Sequence, residues 1–449
     1  MREKRTVQMN LFAQYADHEI GRELKAMSAW LDDHPVILDW LAKDLSPERL
    51  QAVGRKGLSL DAAIRCALLK QYRKLTYDEL VFCLKDSISC QGFARLTEGW
   101  TPEKSALQGV IASISAETWE QVNRCLVLDA EAQGVENGRQ VRVDSTVTDS
   151  NIHAPTDSSL LVDSVRVMVR LLRVAESLCG GILFFHDHHR RAKKRGREII
   201  YIKGKDKKAK LYKDLVSVTR KTLEYVMFAL NKTPDGVTDP LAWEVWRVET
   251  RHYIPLIVGV IDQTERRVFQ GETVPVKEKI VSLFEEHTDI IVKGNRDIQY
   301  GHKINLSTGT SGLVLDVIIE AGNPADSDRF LPLLDRLNDL YGRPPRQMAA
   351  DGGYASKENL DKTKERGVND VAFHKKRGLA VEDMAKSPWV YRKLRNFRAG
   401  IEAGISCLKR RWGLSRCTWK GLAHFKAYVW SSVFAHSLAV FARRQAEPA

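Results

Sequence analysis

Three carboxylates, Asp144, Asp351 and Glu402, stand out as residues that could do chemistry. Glu402 lies in RNFRAGIEAGISCLKRRWG, where a turn of about 100° per residue collects Phe397, Ile401, Ile405, Leu408 and Trp412 into one apolar stripe. Arg395, Arg398, Glu402 and Lys409 form a second stripe beside it, within about 60° of one another by the same arithmetic. A glutamate among cations on a helix face is often only an ion-pair partner. Asp351 closes an apolar approach, Met348-Ala349-Ala350, and precedes Gly352-Gly353-Tyr354, which places it where a strand becomes a turn. Asp144, in QVRVDSTV, shares one strand face with Arg142 while Val141 and Val143 take the other, and it is expected at the equivalent strand end. Sites in open α/β sheets form at the carboxyl ends of strands. Converging carboxylates that lose water need cations. Magnesium takes oxygen ligands and keeps part of its water, leaving room for a phosphate. Two such ions about 4 Å apart can activate a nucleophile and stabilise a leaving oxygen.

Other acidic and metal-ligating groups are weaker candidates. Asp149, Asp157 and Asp163 are expected to follow the first strand rather than sit in it, and Asp316 to lie mid-strand beside a cation. His186, His188 and His189 have no second ligand group at zinc spacing, so HDHHRRAKKR reads as a basic exposed loop. The seven cysteines are scattered and show no metal spacing, as expected of reduced cytosolic thiols.

The elements that must position the carboxylates follow from periodicity. Residues up to about 135 read as helical: Thr76 with Glu79 forms a capping-box pattern, Thr101-Pro102 is expected to open a helix, and another ends near Gly134. Strand character begins at Gln140. A long helical stretch, about 156–285, follows and then gives way to strands at DIIVKG, YGHKINLST and LVLDVIIEAG, the last two joined by Gly309-Thr-Ser-Gly312 as a hairpin. A helix around Asp328–Leu340, a short strand at RQMAADGGY, a helix, a strand at DVAFHK and a final helix complete an α/β layer fold. The expected division is a helical, helix-turn-helix-like domain over 1–135, an α/β domain over 136–412 carrying the helical insertion, and a basic helical tail over 413–449.

Composition narrows the partner. The chain has 449 residues and a formal net charge of +13, so a polyanion is the natural partner. From Arg190 to Lys213 there are twelve basic residues against two acidic ones. From His374 onward sixteen Lys and Arg stand against four acids, interleaved with Trp389, Tyr391, Phe397, Trp412 and Trp419, a mixture suited to phosphates and unstacked bases. The first run reads equally as a solvated loop. MREKRTVQMNLF lacks an apolar signal core, and no run approaches eighteen apolar residues, so a cytoplasmic protein without membrane contact is expected.

Taken together, these motifs resemble a known family. Arg398-x3-Glu402-x6-Lys409 looks like the C-terminal signature of bacterial insertion-sequence transposases of the DDE type, although Arg395 stands where that signature carries a tyrosine. Asp351-Gly-Gly-Tyr354 is similar to the family's second-aspartate motif, VRVDST to its first, and GHKINLSTGTSGLVLDVIIEAGNPADS to the segment between them. The resemblance implies an RNase H-like mixed sheet flanked by helices, with the helical insertion after the first strand and an N-terminal helical DNA-binding domain. It implies Asp144, Asp351 and Glu402 as catalytic ligands of two Mg²⁺ ions, with Mn²⁺ able to substitute. Arg398 and Lys409 would then hold phosphates, with Arg395, His302 and Lys303 as further DNA contacts. The implied activity is metal-dependent cleavage at the terminal inverted repeats of a mobile element, followed by joining of the 3′-OH ends to target DNA, by a homodimer on paired ends near the bacterial nucleoid. A non-catalytic DNA-binding descendant of a transposase, or another RNase H-like nuclease, fits the same residues less fully.

Overall fold

The computed structural model describes residues 18–45, 57–96, 100–181, 183–231, 237–292 and 298–446. The opening MREKRTVQMNLF and the end of the DIIVKG stretch lie outside them. Two compact units result, one of Met1–Asn151 with Asp289–Ala449 and one of Ile152–Thr288.

The first unit holds a six-stranded mixed sheet. Its strands are β1 (Gln140–Asp149), β2 (Asp289–Ile291), β3 (Gln299–Thr308), β4 (Val314–Ile319), β5 (Gln347–Ala350) and β6 (Asp370–Phe373). They lie in the order β2-β3-β1-β5-β6, with β4 also paired to β3. β1 runs antiparallel to β3 and parallel to β5, and β5 runs parallel to β6. The hairpin turns at Gly312, whose φ of 92° a side chain would strain. Val141, Val143, Ile304, Leu306, Met348 and Val371 are buried on this sheet, the period-2 pattern that fixes its register. The helices around it are α1 (Glu19–Asp33), α2 (Val36–Leu45), α3 (Leu60–Tyr72), α4 (Tyr77–Asp86), α5 (Ile88–Ala94), α6 (Lys104–Ala112) and α7 (Ala116–Ala132) on the N-terminal side. The capping box of Thr76 and Glu79 forms at α4. At α6 the expected start fails: the helix opens at Lys104, with Glu103 as an N-cap that makes no side-chain bond, rather than at Thr101.

The second unit is a bundle of α8 (Asp157–Leu178), α9 (His189–Tyr201), α10 (Lys205–Asn231) and α11 (Pro240–Val268). Leu161, Met168, Leu172, Leu215 and Val260 are buried in it, and Trp243 stacks on Trp246 with centroids 4.4 Å apart. The basic run from Arg190 to Lys213 is therefore mostly helix, not a loop: α9 and the first turns of α10 take it up.

The C-terminal side of the first unit adds α12 (Phe330–Tyr341), α13 (Lys357–Glu365), α14 (Val381–Met384), α15 (Pro388–Arg411) and α16 (Leu422–Ala446). α16 is helical, as expected of the basic tail, but it packs into the unit. Phe425, Val429, Val433, Phe434, Leu438 and Phe441 are buried. Gln71 donates to Ser431 at 2.7 Å, Arg443 pairs with Glu23 at 2.5 Å, and the rings of Trp30 and Phe434 lie 5.8 Å apart. The cations that suggested a tail, Lys420, Lys426, Arg443 and Arg444, mark its ends. From Ala427 to Ala442 no Asp, Glu, Lys or Arg occurs, as a helix apolar on all sides requires. Because α16 packs on α1, α3 and α7 as well as on β4, the N-terminal helices belong to the same compact unit as the sheet, and residue 135 is no boundary between units.

Candidate active site

Parallel pairing of β1 with β5 runs from Gln140↔Gln347 to Val143↔Ala350, so Asp144 and Asp351 are the next residues on neighbouring strands. Asp351 stands where expected, directly after the last residue of β5 and ahead of the single turn Gly352–Tyr354. Asp144 does not stand at a strand end. β1 continues five residues past it to Asp149, paired with β3, because hairpin strand β3 supplies a partner after β5 has ended. Asp149 is accordingly the last residue of β1 rather than a residue beyond it.

α15 crosses this end of the sheet. It starts from the Ser387 cap with Pro388 in its first turn, a position where the missing N–H costs nothing. Ile401 and Leu408 are buried beneath it, and Phe397 and Ile405 are half-buried, as the apolar stripe requires. That seating turns Arg398 and Glu402 toward the two aspartates.

One guanidinium meets all three carboxylates. Arg398 donates from Nη1 to Glu402 Oε1 at 2.7 Å and from Nη2 to Asp144 Oδ2 at 2.9 Å, while Nη2 lies 3.8 Å from Asp351 Oδ1. The Ser145 N–H donates to Asp144 Oδ1 at 2.7 Å. Side-chain exposure rises from 15% at Asp144 to 43% at Asp351 and 65% at Glu402, against 9% at Arg398. The arrangement is graded: a nearly buried ion pair at its base, two carboxylates open to solvent at its mouth. Breaking such a pair from one side leaves an uncompensated charge.

As a donor set the trio is all oxygen and carries three negative charges around a single positive one, the chemistry a hard divalent cation requires. As folded, the carboxylates close on Arg398. Among the described residues no three His, Cys, Asp or Glu side chains form a ready-made metal cluster.

The remaining candidates scatter. Lys409, two turns beyond Glu402, is half-buried and faces Asp149. Burial pulls its ammonium pKa down while Asp149 opposes that shift. Burial pushes the Asp149 carboxyl up against the pull of Lys409 and Arg416. Arg395 is exposed. His302 is buried, with Nδ1 3.0 Å from Asp289 and its ring edge-on to Phe425. Lys303 is 4% exposed and pairs with Asp326 at 2.5 Å while donating to the Pro324 carbonyl at 2.6 Å. Both sit in the central β3, covered by neighbours, and neither presents a charge to a DNA surface. Of the interleaved aromatics only Trp389 is exposed; Tyr391, Trp412 and Trp419 are buried. Asp316 pairs with Arg336 as expected, and Asp157 and Asp163 with Arg267 and Arg166.

A second polar layer lies behind the trio, with no local sequence pattern to announce it. Asp326 accepts from Ser145 Oγ at 3.1 Å as well as pairing with Lys303. The Tyr354 hydroxyl donates to Asn305 at 2.7 Å, and Asn305 in turn donates to Glu320 at 2.8 Å. Burial holds the Tyr354 phenol well above its usual range, and the negative charges of Asp326, Asp144 and Asp351 add to that, so it stays a donor. Asp326 is 181 residues from Ser145 in the chain. Only its place in GHKINLSTGTSGLVLDVIIEAGNPADS, before α12, hinted at a role.

A mixed sheet in this order, flanked by helices, with an acidic trio where β1 and β5 lie side by side, is an RNase H-like core. Residues 257–438 match the family model for the transposase DDE domain, a stretch that includes Asp351 and Glu402 and stops short of Asp144. Through that stretch, less than half of its length, the chain is similar to the DDE transposases. No curated protein and no solved structure matches it.

Proposed function

We propose that Asp144, Asp351 and Glu402 are the catalytic carboxylates of a DNA-cleaving and DNA-joining reaction and that they hold two divalent ions, Mg²⁺ or Mn²⁺. The observation that carries this reading is the convergence of all three on the Arg398 guanidinium, from three separate elements. Residues with no common task have no reason to bring three like charges to one point. The bound ions would supply Lewis-acid activation of a nucleophile and charge neutralisation at the leaving oxygen.

The chain's own groups do the rest. Asp144 is held rigid by the Ser145 N–H and Arg398, while Asp351 and Glu402 stand open to solvent where a phosphate can approach. Arg398 offers a planar fork suited to carboxylate and phosphate oxygens alike. Exposed Arg395, one turn before it, and Lys409, about 10 Å further along the helix than Glu402 at ~1.5 Å per residue, extend positive charge along α15. In the cleavage step a water oxygen forms a bond to phosphorus and the P–O3′ bond breaks, leaving a 3′-OH. In the joining step that hydroxyl attacks a target phosphodiester and displaces its 3′ oxygen. The natural substrates under this reading are terminal inverted repeats and target DNA, engaged by a homodimer, with the N-terminal helices contributing to recognition.

The test uses DNA fragments carrying the sequences that flank this coding region, incubated with the full chain and Mg²⁺. Nicks bearing 3′-OH ends are expected at the inverted repeats. A Glu402→Ala protein that still cuts there would overturn the assignment. Intact wild-type chain that binds those ends yet cuts under no metal would favour a purely DNA-binding protein.

A further inference from the structure

We propose that the outward face of α9, formed by Arg190, Lys193, Lys194 and Arg197 and ending at Tyr201, is a binding surface for the phosphodiester backbone of duplex DNA. The helix sorts its residues into three sectors. Ala192, Gly196 and Ile199 are buried and form the inner one. Gly196 is tight there: an added Cβ would come within 2.7 Å of Val162 on α8, so α9 is seated closely and its orientation about its own axis is fixed. On the flank, Arg191 pairs with Asp214 of α10, and Arg195 pairs with Asp214 and Glu198, both at 2.6 Å. These two arginines are spent on the bundle.

The third sector is different. At about 100° per residue, positions 190, 193, 194, 197 and 201 fall on one side of the helix. All five residues are exposed, Tyr201 at 82%. Among the described residues Arg190, Lys193 and Arg197 have no acidic partner, and Lys194 reaches Glu198 only at 4.0 Å. Bundle stability does not explain these four cations. Four like charges along one ridge repel each other in the absence of a polyanion, and from Arg190 to Arg197 they extend about 10 Å at ~1.5 Å per residue. Duplex DNA presents one phosphate per ~3.4 Å of each strand, so a straight ridge of this length faces several. The exposed tyrosine at its end adds a ring able to pack on sugar or base. By contrast, Lys205, Lys207, Lys208, Lys210 and Lys213 are spread over about 260° of the circumference of α10.

DNA is chosen as the polyanion on the strength of the proposed function, and the experiment separates the two. Binding of the full chain to a labelled duplex of arbitrary sequence is measured from low to moderate salt, for wild type, for Glu402→Gln, and for the triple variant Arg190→Gln, Lys193→Gln, Arg197→Gln. Each cation withdrawn from a phosphate lowers the slope of log K against log salt by ~0.9, so three should lower it by about 2.7. The thermal transition should be unchanged, because none of the three has an acidic partner among the described residues. A double variant Arg191→Gln, Arg195→Gln should do the reverse, weakening the fold with little effect on slope. A triple variant with the wild-type slope, or a chain whose α9 face binds anionic phospholipid vesicles in preference to DNA, would overturn the proposal. Glu402→Gln losing cleavage with its slope intact supports the active site whatever α9 does. A triple variant with reduced slope in a chain that never cleaves would support α9 alone.

Discussion

Arg398 is the residue on which the site turns, because its two terminal nitrogens reach different carboxylates. A lysine there would offer a point charge in place of a fork, so Arg398→Lys should keep the fold yet slow DNA cleavage at least tenfold. Cleavage at the wild-type rate by that variant would show that charge alone suffices. One layer further back, Lys303 and Asp326 form a pair with little solvent, and removing one partner strands the other. Asp326→Asn should cost about 3 kcal/mol in urea denaturation, in the range for breaking a buried pair. Adding Lys303→Met should restore much of it, and a coupling energy near zero would contradict the pairing. At this scale the sequence was legible where a residue's neighbours in the chain are also its neighbours in space. Glu402 and Arg398 are one turn apart and Asp351 sits against its own glycines, so their placement could be read locally. Asp326, Ser145 and Lys303 come together only through the sheet, which leaves no trace in the residues beside each of them. Cys83 and Cys90 are a similar case: scattered in sequence, they lie with sulfurs 2.9 Å apart across the α4–α5 joint.

Among the elements, α16 departs furthest from what its cations suggest. Counting cations made it a basic tail, whereas the uncharged stretch inside it is what decides its place. Its His436 is buried, and burial pulls the imidazole pKa down from 6.5 to about 4, with the nearby Arg443 and Arg411 adding to that. A depressed folded pKa means that the unfolded chain binds the proton more readily. The stability it permits is therefore complete above pH 6.5 and is lost as pH falls through the window from 6.5 to about 4. At ~1.4 kcal/mol per pH unit, that loss is on the order of 3 kcal/mol. A His436→Gln protein should show a flatter stability profile across this window in urea titrations. An unchanged profile would mean that α16 is not held in the core as described. The strands were easier to foresee than α16, since alternation around Val141 and Val143 and the glycines of the hairpin are strong local signals. α9 was hard for the opposite reason. Its buried face is Ala192, Gly196 and Ile199, too small an apolar stripe to reveal a helix among so many cations.

For the molecule as a whole, the insertion between β1 and β2 is compact in its own right. Its apolar core, with Trp243 on Trp246, is of the kind that holds a helical bundle together. A fragment of residues 152–288 should therefore show helical circular dichroism and a cooperative thermal transition, and a featureless melt would contradict that. The first unit joins N-terminal helices, sheet and α16 in one core, which explains why the sequence division at 135 did not correspond to a structural one. Within that unit, the proposed function requires Asp144, Asp351 and Glu402 to act as one site. The direct measurement is the single-turnover rate of cleavage of end-bearing DNA in Mg²⁺ by wild type, by Asp144→Asn, Asp351→Asn and Glu402→Gln singly, and by the triple variant. Groups that act as a unit are not additive, so each single change should lower the rate by about a thousandfold or more and the triple should be no slower than the singles. Single variants that cut at the wild-type rate, or losses that multiply independently, would contradict a shared site.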